Sequence, residues 1–147
     1  MQFKGEKEKH VYFAGQKTHP SCNADYIIHA VTVLTFNDVV TNQGNGFDGG
    51  SGLFKAPVSG VYSFTFTGRN RSDLDMLTFV YVLHNGAPKI ALSNQHNNDM
   101  DAFSMISGSW QMRLGKNDKV QLKVTHGALL VHCRTKAIFT GVLIEEL

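Results

Sequence analysis

Residues Val61 to Thr67 read VYSFTFT, which places Tyr62, Phe64 and Phe66 on one side of an extended chain and Ser63, Thr65 and Thr67 on the other. A period of two with every aromatic on one face is the pattern of a half-buried strand; a helix would scatter those rings around its axis. The pattern recurs. Trp110, Met112 and Leu114 alternate with Gln111 and Arg113, and after a turn at Gly115 to Asp118 the residues Val120, Leu122 and Val124 alternate with Gln121 and Lys123. Met76 to His84 (MLTFVYVLH) is apolar on both faces and runs into Asn85-Gly86, a pair that favours the tight positive-φ hairpin, with Lys89 to Leu92 as the returning strand. Ile138 to Ile144 closes the chain as a mostly apolar strand, and further strands are predicted at Val11 to Ala14, Val31 to Val40 and Leu53 to Ala56. No segment carries the helical period with capping signals. Many short strands with turns between them specify an all-β sandwich or barrel.

With 147 residues the chain makes one domain, and 42% hydrophobic against 18% charged residues excludes a disordered one. The net charge of +2 comes from scattered basic residues, so nucleic acid is not an expected partner. No apolar run approaches the length of a membrane span, and no membrane insertion is expected. The first ten residues, MQFKGEKEKH, lack the apolar stretch of a signal peptide, which leaves a cytosolic protein or the mature part of a secreted one. Cys22 and Cys133 stand too far apart for a zinc motif; by spacing alone, a disulfide and two free thiols both remain open.

Motifs of catalysis do not survive inspection. Gly44, Gly46 and Gly49 form a nominal G-x-G-x-x-G, but Gly50-Ser51-Gly52 follows where a phosphate-binding helix would have to start, so a loop is expected. Ser51 and Ser109 each have glycine neighbours without completing a nucleophile elbow. The seven histidines (His10, His19, His29, His84, His96, His126, His132) include no pair at metal-ligand spacing. The paired carboxylates Asp73/Asp75 and Asp99/Asp101 lie in polar segments that fit solvated loops as well as calcium. No enzyme is expected.

One set of residues is specific. Phe36 is followed by Asn42, Phe47, Phe54, Gly60, Tyr62, Phe64 and Phe66 at separations that resemble the signature of the globular head domain of complement C1q, in the C1q and tumour-necrosis-factor superfamily. Ser107-Gly108-Ser109 before a strand, Leu114 to Val124 and the terminal Phe139-Thr140-Gly141-Val142-Leu143 resemble further landmarks in the same order, so the likeness covers roughly Val11 to Leu147. The residues also make sense in themselves: alternating aromatics fill a sandwich core, Asn42 can bond the backbone of its own loop, and Gly60 suits a tight turn. Two departures stand out. Asn117 replaces the family's turn glycine, and Ser104 stands where calcium-binding relatives carry an aspartate. The repeating Gly-X-Y stem of several relatives is absent.

The resemblance implies a ten-stranded jelly-roll sandwich that forms a homotrimer, with residues 1–10 as a flexible segment or stem remnant and 11–147 as the domain. The apolar excess of Met76 to Leu83 and Ile138 to Ile144 agrees with an oligomer contact. In that strand order the tight turns share one end with the termini, and the longer polar loops (15–25, 68–75, 94–101 and 125–136) share the opposite, apical end. Cys22 and Cys133 then fall in neighbouring loops, and an intrachain disulfide and an extracellular home are expected. The expected function is a secreted recognition protein of innate immunity, most similar to the head-only lectin-like relatives of invertebrates. It would bind glycans or anionic microbial surface molecules, such as sialic acid or lipopolysaccharide, through Arg69, Arg71, Asn94, Gln95, His96, Asn97, Arg134 and Lys136. The alternative is a hormone-like or synaptic-organiser ligand for a receptor. No cofactor is required; Asp99 and Asp101 are the candidate calcium ligands, and Asn70-Arg71-Ser72 is a glycosylation sequon at Asn70.

Overall fold

The computed structural model describes residues 9–71, 77–94 and 104–147. The described residues fold into strands and turns without a helix. The first strands are β1 (Tyr12–Lys17), β2 (Tyr26–His29), β3 (Thr32–Val33), β4 (Asp38–Gln43), β5 (Phe47–Asp48) and β6 (Leu53–Lys55). There follow β7 (Gly60–Asn70), β8 (Phe79–His84), β9 (Ala87–Ser93), β10 (Met105–Leu114), β11 (Lys119–His126), β12 (Ala128–Val131) and β13 (Ala137–Glu146).

Two antiparallel sheets pack face to face as a jelly roll. In the first, β7 is central: β10 lies along one edge, while β13 and then β1 and β4 extend from the other. The short β12 pairs with the far end of β7 and with β2. The second sheet runs β5-β6-β11-β8-β9, with β3 also on β11. The alternation in β7 sends Tyr62, Phe64 and Phe66 into the core with no exposed surface. Phe13 sits at the centre, stacked on Phe47 at 4.3 Å and on Phe54 at 5.0 Å, with Phe139 edge-on at 5.0 Å. Trp110 stacks over Phe64 at 5.7 Å, and its indole Nε1 is buried with no hydrogen-bond partner among the described residues.

Local chemistry explains the turns. Asn85 (φ 51°) and Gly86 (φ 84°) make the expected hairpin, and Asn117 takes the left-handed conformation (φ 74°). Asn42 donates to the Phe47 carbonyl at 2.7 Å and accepts the Phe47 N–H at 3.2 Å, tying β4 to the glycine-rich turn. That turn begins no helix. Gly52 (φ 72°) is there because a Cβ would collide with the carbonyl of Leu34.

Three expectations need correction. Val31 to Val40 is not one strand: the chain crosses between sheets there, with β3 on one and β4 on the other, and Leu34 and Phe36 buried at the crossing. Residues 125–136 are not all loop, because Ala128 to Val131 forms a strand paired with β2. The close packing at Gly60 is with Leu143 and Glu145 of β13 rather than within its own turn.

Candidate apical groove

Antiparallel order puts Asn85-Gly86, 56–59 and 115–118 at one end, where Asn117 N–H reaches Ala56 and Leu147 N–H reaches Ser59. The ends of β7, β9 and β12 and the starts of β8, β10 and β13 lie at the apical end. A buried polar knot holds that end together. Thr78 donates its backbone N–H to Asn94 Oδ1 at 2.8 Å and its hydroxyl to Asn70 Oδ1, while Ala128 N–H donates to Thr78 Oγ1 at 3.1 Å. Asn70 also donates its backbone N–H to Ser104, and Arg71 its own to Ala128.

The knot corrects two site assignments. Asn94 is 6% exposed and is committed to the backbone of Thr78, so it holds the fold rather than a ligand. Asn70 is 5% exposed and ends a strand instead of standing in a loop; a buried amide has no room for a glycan. Gln95, His96, Asn97, Asp99 and Asp101 lie outside the described residues. Among the described residues no group of His, Cys, Asp or Glu could hold a metal.

Arg69, Arg134 and Lys136 are brought together. They line an open groove of about 730 Å3 with Thr67, Met105, His132, Thr135 and Ile138. Its floor lies on the outward face of the first sheet, where Thr67 stands opposite Ile138 and Ser107, and Arg69 opposite Met105 and Leu130. Its cationic wall is the turn from β12 into β13. His132 N–H donates to Thr135 O at 3.0 Å and Thr135 N–H returns to His132 O at 3.1 Å. His132 Nδ1 accepts Arg134 N–H at 3.0 Å, so its proton sits on Nε2, 3.2 Å from Thr135 Oγ1. In the middle of this turn Cys133 forms a disulfide with Cys22, with Cα atoms 5.0 Å apart, and donates its N–H to Ser21 O. The expected bridge is present, and it pins the turn to the first apical loop.

Among the described residues the lining of the groove includes no acidic side chain. Burial pushes the Arg69 guanidinium below its ordinary value, opposed by the charge of Asp25; it stays a cation, partly stripped of water. Arg71 is half-buried beside the knot and does not line the groove. His132, Thr135, Met105 and Ile138 were missed by sequence reasoning. The alternation that puts Thr67 and Ile138 outward was readable; the neighbour across β7, Met105, was not.

The arrangement suits a ligand that carries negative charge and a small apolar part. The C1q domain model matches residues 7–144. This chain belongs to the C1q domain family. It is 36% identical over 114 residues to human complement C1q tumor necrosis factor-related protein 3, covering 77% of this chain and 45% of the relative. To a mouse complement C1q subcomponent it is 29% identical over 114 residues, covering 76% and 46%. The chain thus spans about half the length of these relatives. Among solved structures, the globular domain of zebrafish complement 1qA protein superposes with TM-score 0.70 at 24% identity, covering 93% of this chain and 99% of that one. Murine APRIL superposes with TM-score 0.69 at 15% identity, covering 92% and 100%, a likeness of fold alone. The relatives are complement C1q and C1q tumor necrosis factor-related proteins by name. Among the described residues of this C1q domain, no helix is long and apolar enough to cross a membrane.

Proposed function

We propose that this C1q domain is an extracellular, non-enzymatic recognition head, a homotrimer that binds anionic glycans or phosphorylated molecules of microbial surfaces at its apical end. The observation that carries the reading is the groove on which Arg69, Arg134 and Lys136 converge, with no acidic side chain among its described lining residues. Guanidinium groups pair with carboxylate and phosphate oxygens through two parallel hydrogen bonds, and Lys136 adds a point charge. Gln95, His96 and Asn97 stay in the proposal by their place between Asn94 and Ser104, both at the apical end. Affinity of a single groove is weak, and three grooves meeting a repetitive surface supply the useful strength. The disulfide supports an oxidising, extracellular setting.

The test is binding of the trimer to immobilised lipopolysaccharide and to a sialylated glycoprotein, at 50 and 300 mM salt (about a Debye length of 14 Å against 6 Å). Arg134→Gln with Lys136→Gln is expected to weaken binding about tenfold or more and to remove most of the salt dependence. Equal binding by the variant overturns the assignment. A chelator arm in the same assay tests calcium at Asp99 and Asp101, which predicts lost binding on chelation.

The hormone-like or synaptic-organiser reading is favoured by one observation, the 36% identity to a C1q/TNF-related protein. It predicts saturable binding to cells that is indifferent to the groove charges and to competing anionic glycans.

A further inference from the structure

The groove shares its floor with the apolar part of the first sheet's outward face. Along that face Tyr12 stands beside Val142, and Ile138 beside Thr67; Tyr12, Ile138, Val142 and Met105 are 43%, 40%, 45% and 48% exposed. Two of these four, Ile138 and Met105, also line the groove. A second copy that covered this face would therefore reach the groove. In such a packing the 132–136 turns of adjacent copies would face one another across the contact and lose water from between them. Each turn would bring Arg134 and Lys136, with Arg69 behind them; among the described residues Asp25 opposes the charge of Arg69. Like charges closer than about 8–10 Å are poorly screened at physiological salt, and lose further screening as the site dries.

We propose that a multivalent oxyanion of the phosphate or sulfate class binds between the Arg134 and Lys136 side chains of adjacent copies and stabilises the homotrimer. The anion converts mutual repulsion into shared ion pairs, so binding and assembly are linked: whatever binds the assembled state alone pulls the equilibrium toward it. This rests on the trimer and on the groove being the recognition site. It adds that the ligand acts on assembly, and that a ligand with one charge per group has little effect.

Analytical ultracentrifugation over a dilution series measures the trimer's dissociation. Inorganic tripolyphosphate at millimolar concentration, against chloride at equal ionic strength, is expected to lower the midpoint concentration of dissociation about threefold per bound anion at roughly ten times its Kd, because the midpoint of a monomer–trimer equilibrium follows the square root of its dissociation constant. A sialylated trisaccharide with one carboxylate is expected to leave it unchanged. Arg134→Gln with Lys136→Gln should assemble at least as well as the wild type in chloride and ignore tripolyphosphate, whereas Arg134→Lys with Lys136→Arg should keep the response. Three results overturn the proposal: a wild-type chain monomeric at every concentration, a wild-type trimer indifferent to tripolyphosphate, or a neutral variant that responds like the wild type. An indifferent trimer that still binds lipopolysaccharide through Arg134 and Lys136 defeats this inference alone and leaves the recognition reading standing.

Discussion

Thr78 is a small residue with a large share of the apical end. Its hydroxyl is both the acceptor for Ala128 N–H and the donor to Asn70, and all three groups are buried. Thr78→Val keeps the shape and strands both partners in a dry site, so it should cost about 1–3 kcal/mol, read as a fall in the urea midpoint at unchanged slope. Asp118 works in the same way at the opposite end, near the surface. Its carboxylate accepts from His84 at 3.0 Å, from Gly115 N–H at 2.9 Å and from Asn85 at 3.2 Å; these bonds, that to His84 first, hold its pKa below the ordinary carboxylate value. A group with a depressed folded pKa contributes stability that is complete above the unfolded value near 4 and is lost as the pH falls through the folded one. Asp118→Asn should therefore lower stability at pH 7 by about 1 kcal/mol given its exposure, read as a lower melting temperature, and the gap from wild type should close toward pH 3. A gap that stays constant with pH would assign the loss to geometry rather than charge. Such residues mark the limit of sequence reading. Asn42 was legible because its partner is five residues away, but Asn70 and Asn94 look like any polar loop residue until β8 and β12 fold against them.

At the scale of elements, the pattern of two showed β7, β10 and β11, since each buries one face and wets the other. It misjudged Val31 to Val40, where buried and exposed residues also alternate but the chain leaves one sheet for the other; nothing local to the segment encodes that crossing. Ala128 to Val131 is buried on both faces and has no alternation to reveal it, although its apolar run was a strand signal in its own right. The 132–136 turn carries two of the three cations of the proposed site. It is braced by His132, and Cys133 ties it to a residue 111 positions away. Replacing both cysteines by serine should cost about 2–4 kcal/mol through the freed unfolded chain. Because the sandwich core does not include the turn, the variant should keep its far-ultraviolet circular dichroism while anion binding falls more steeply than a stability loss alone explains. Binding equal to that of the wild type at a temperature where both are folded would show that the turn needs no tether.

For the whole molecule, the apolar excess noted in the sequence divides in two. In β8, Val80, Val82 and Leu83 are covered within the chain, whereas β13 leaves Ile138, Val142 and Ile144 exposed on a sheet face. That residual face is the one a trimer would cover, and Val142→Glu should shift the chain to monomer in ultracentrifugation while the core stays intact. The fold was readable because its core residues are spaced along single strands. The groove was only half readable, because Arg69, Arg134 and Lys136 meet through pairing across β7 that no short-range pattern encodes. Methyl groups offer the most direct view of whether this groove is the recognition site, since Met105 and Ile138 line it while Met112 and Ile90 pack against the core. In a methyl-labelled trimer titrated with 3′-sialyllactose and separately with inorganic tripolyphosphate, Met105 and Ile138 are predicted to shift in a saturable, salt-sensitive way while Met112 and Ile90 hold still. Shifts confined to other methyls, or none at saturating ligand, would contradict the account.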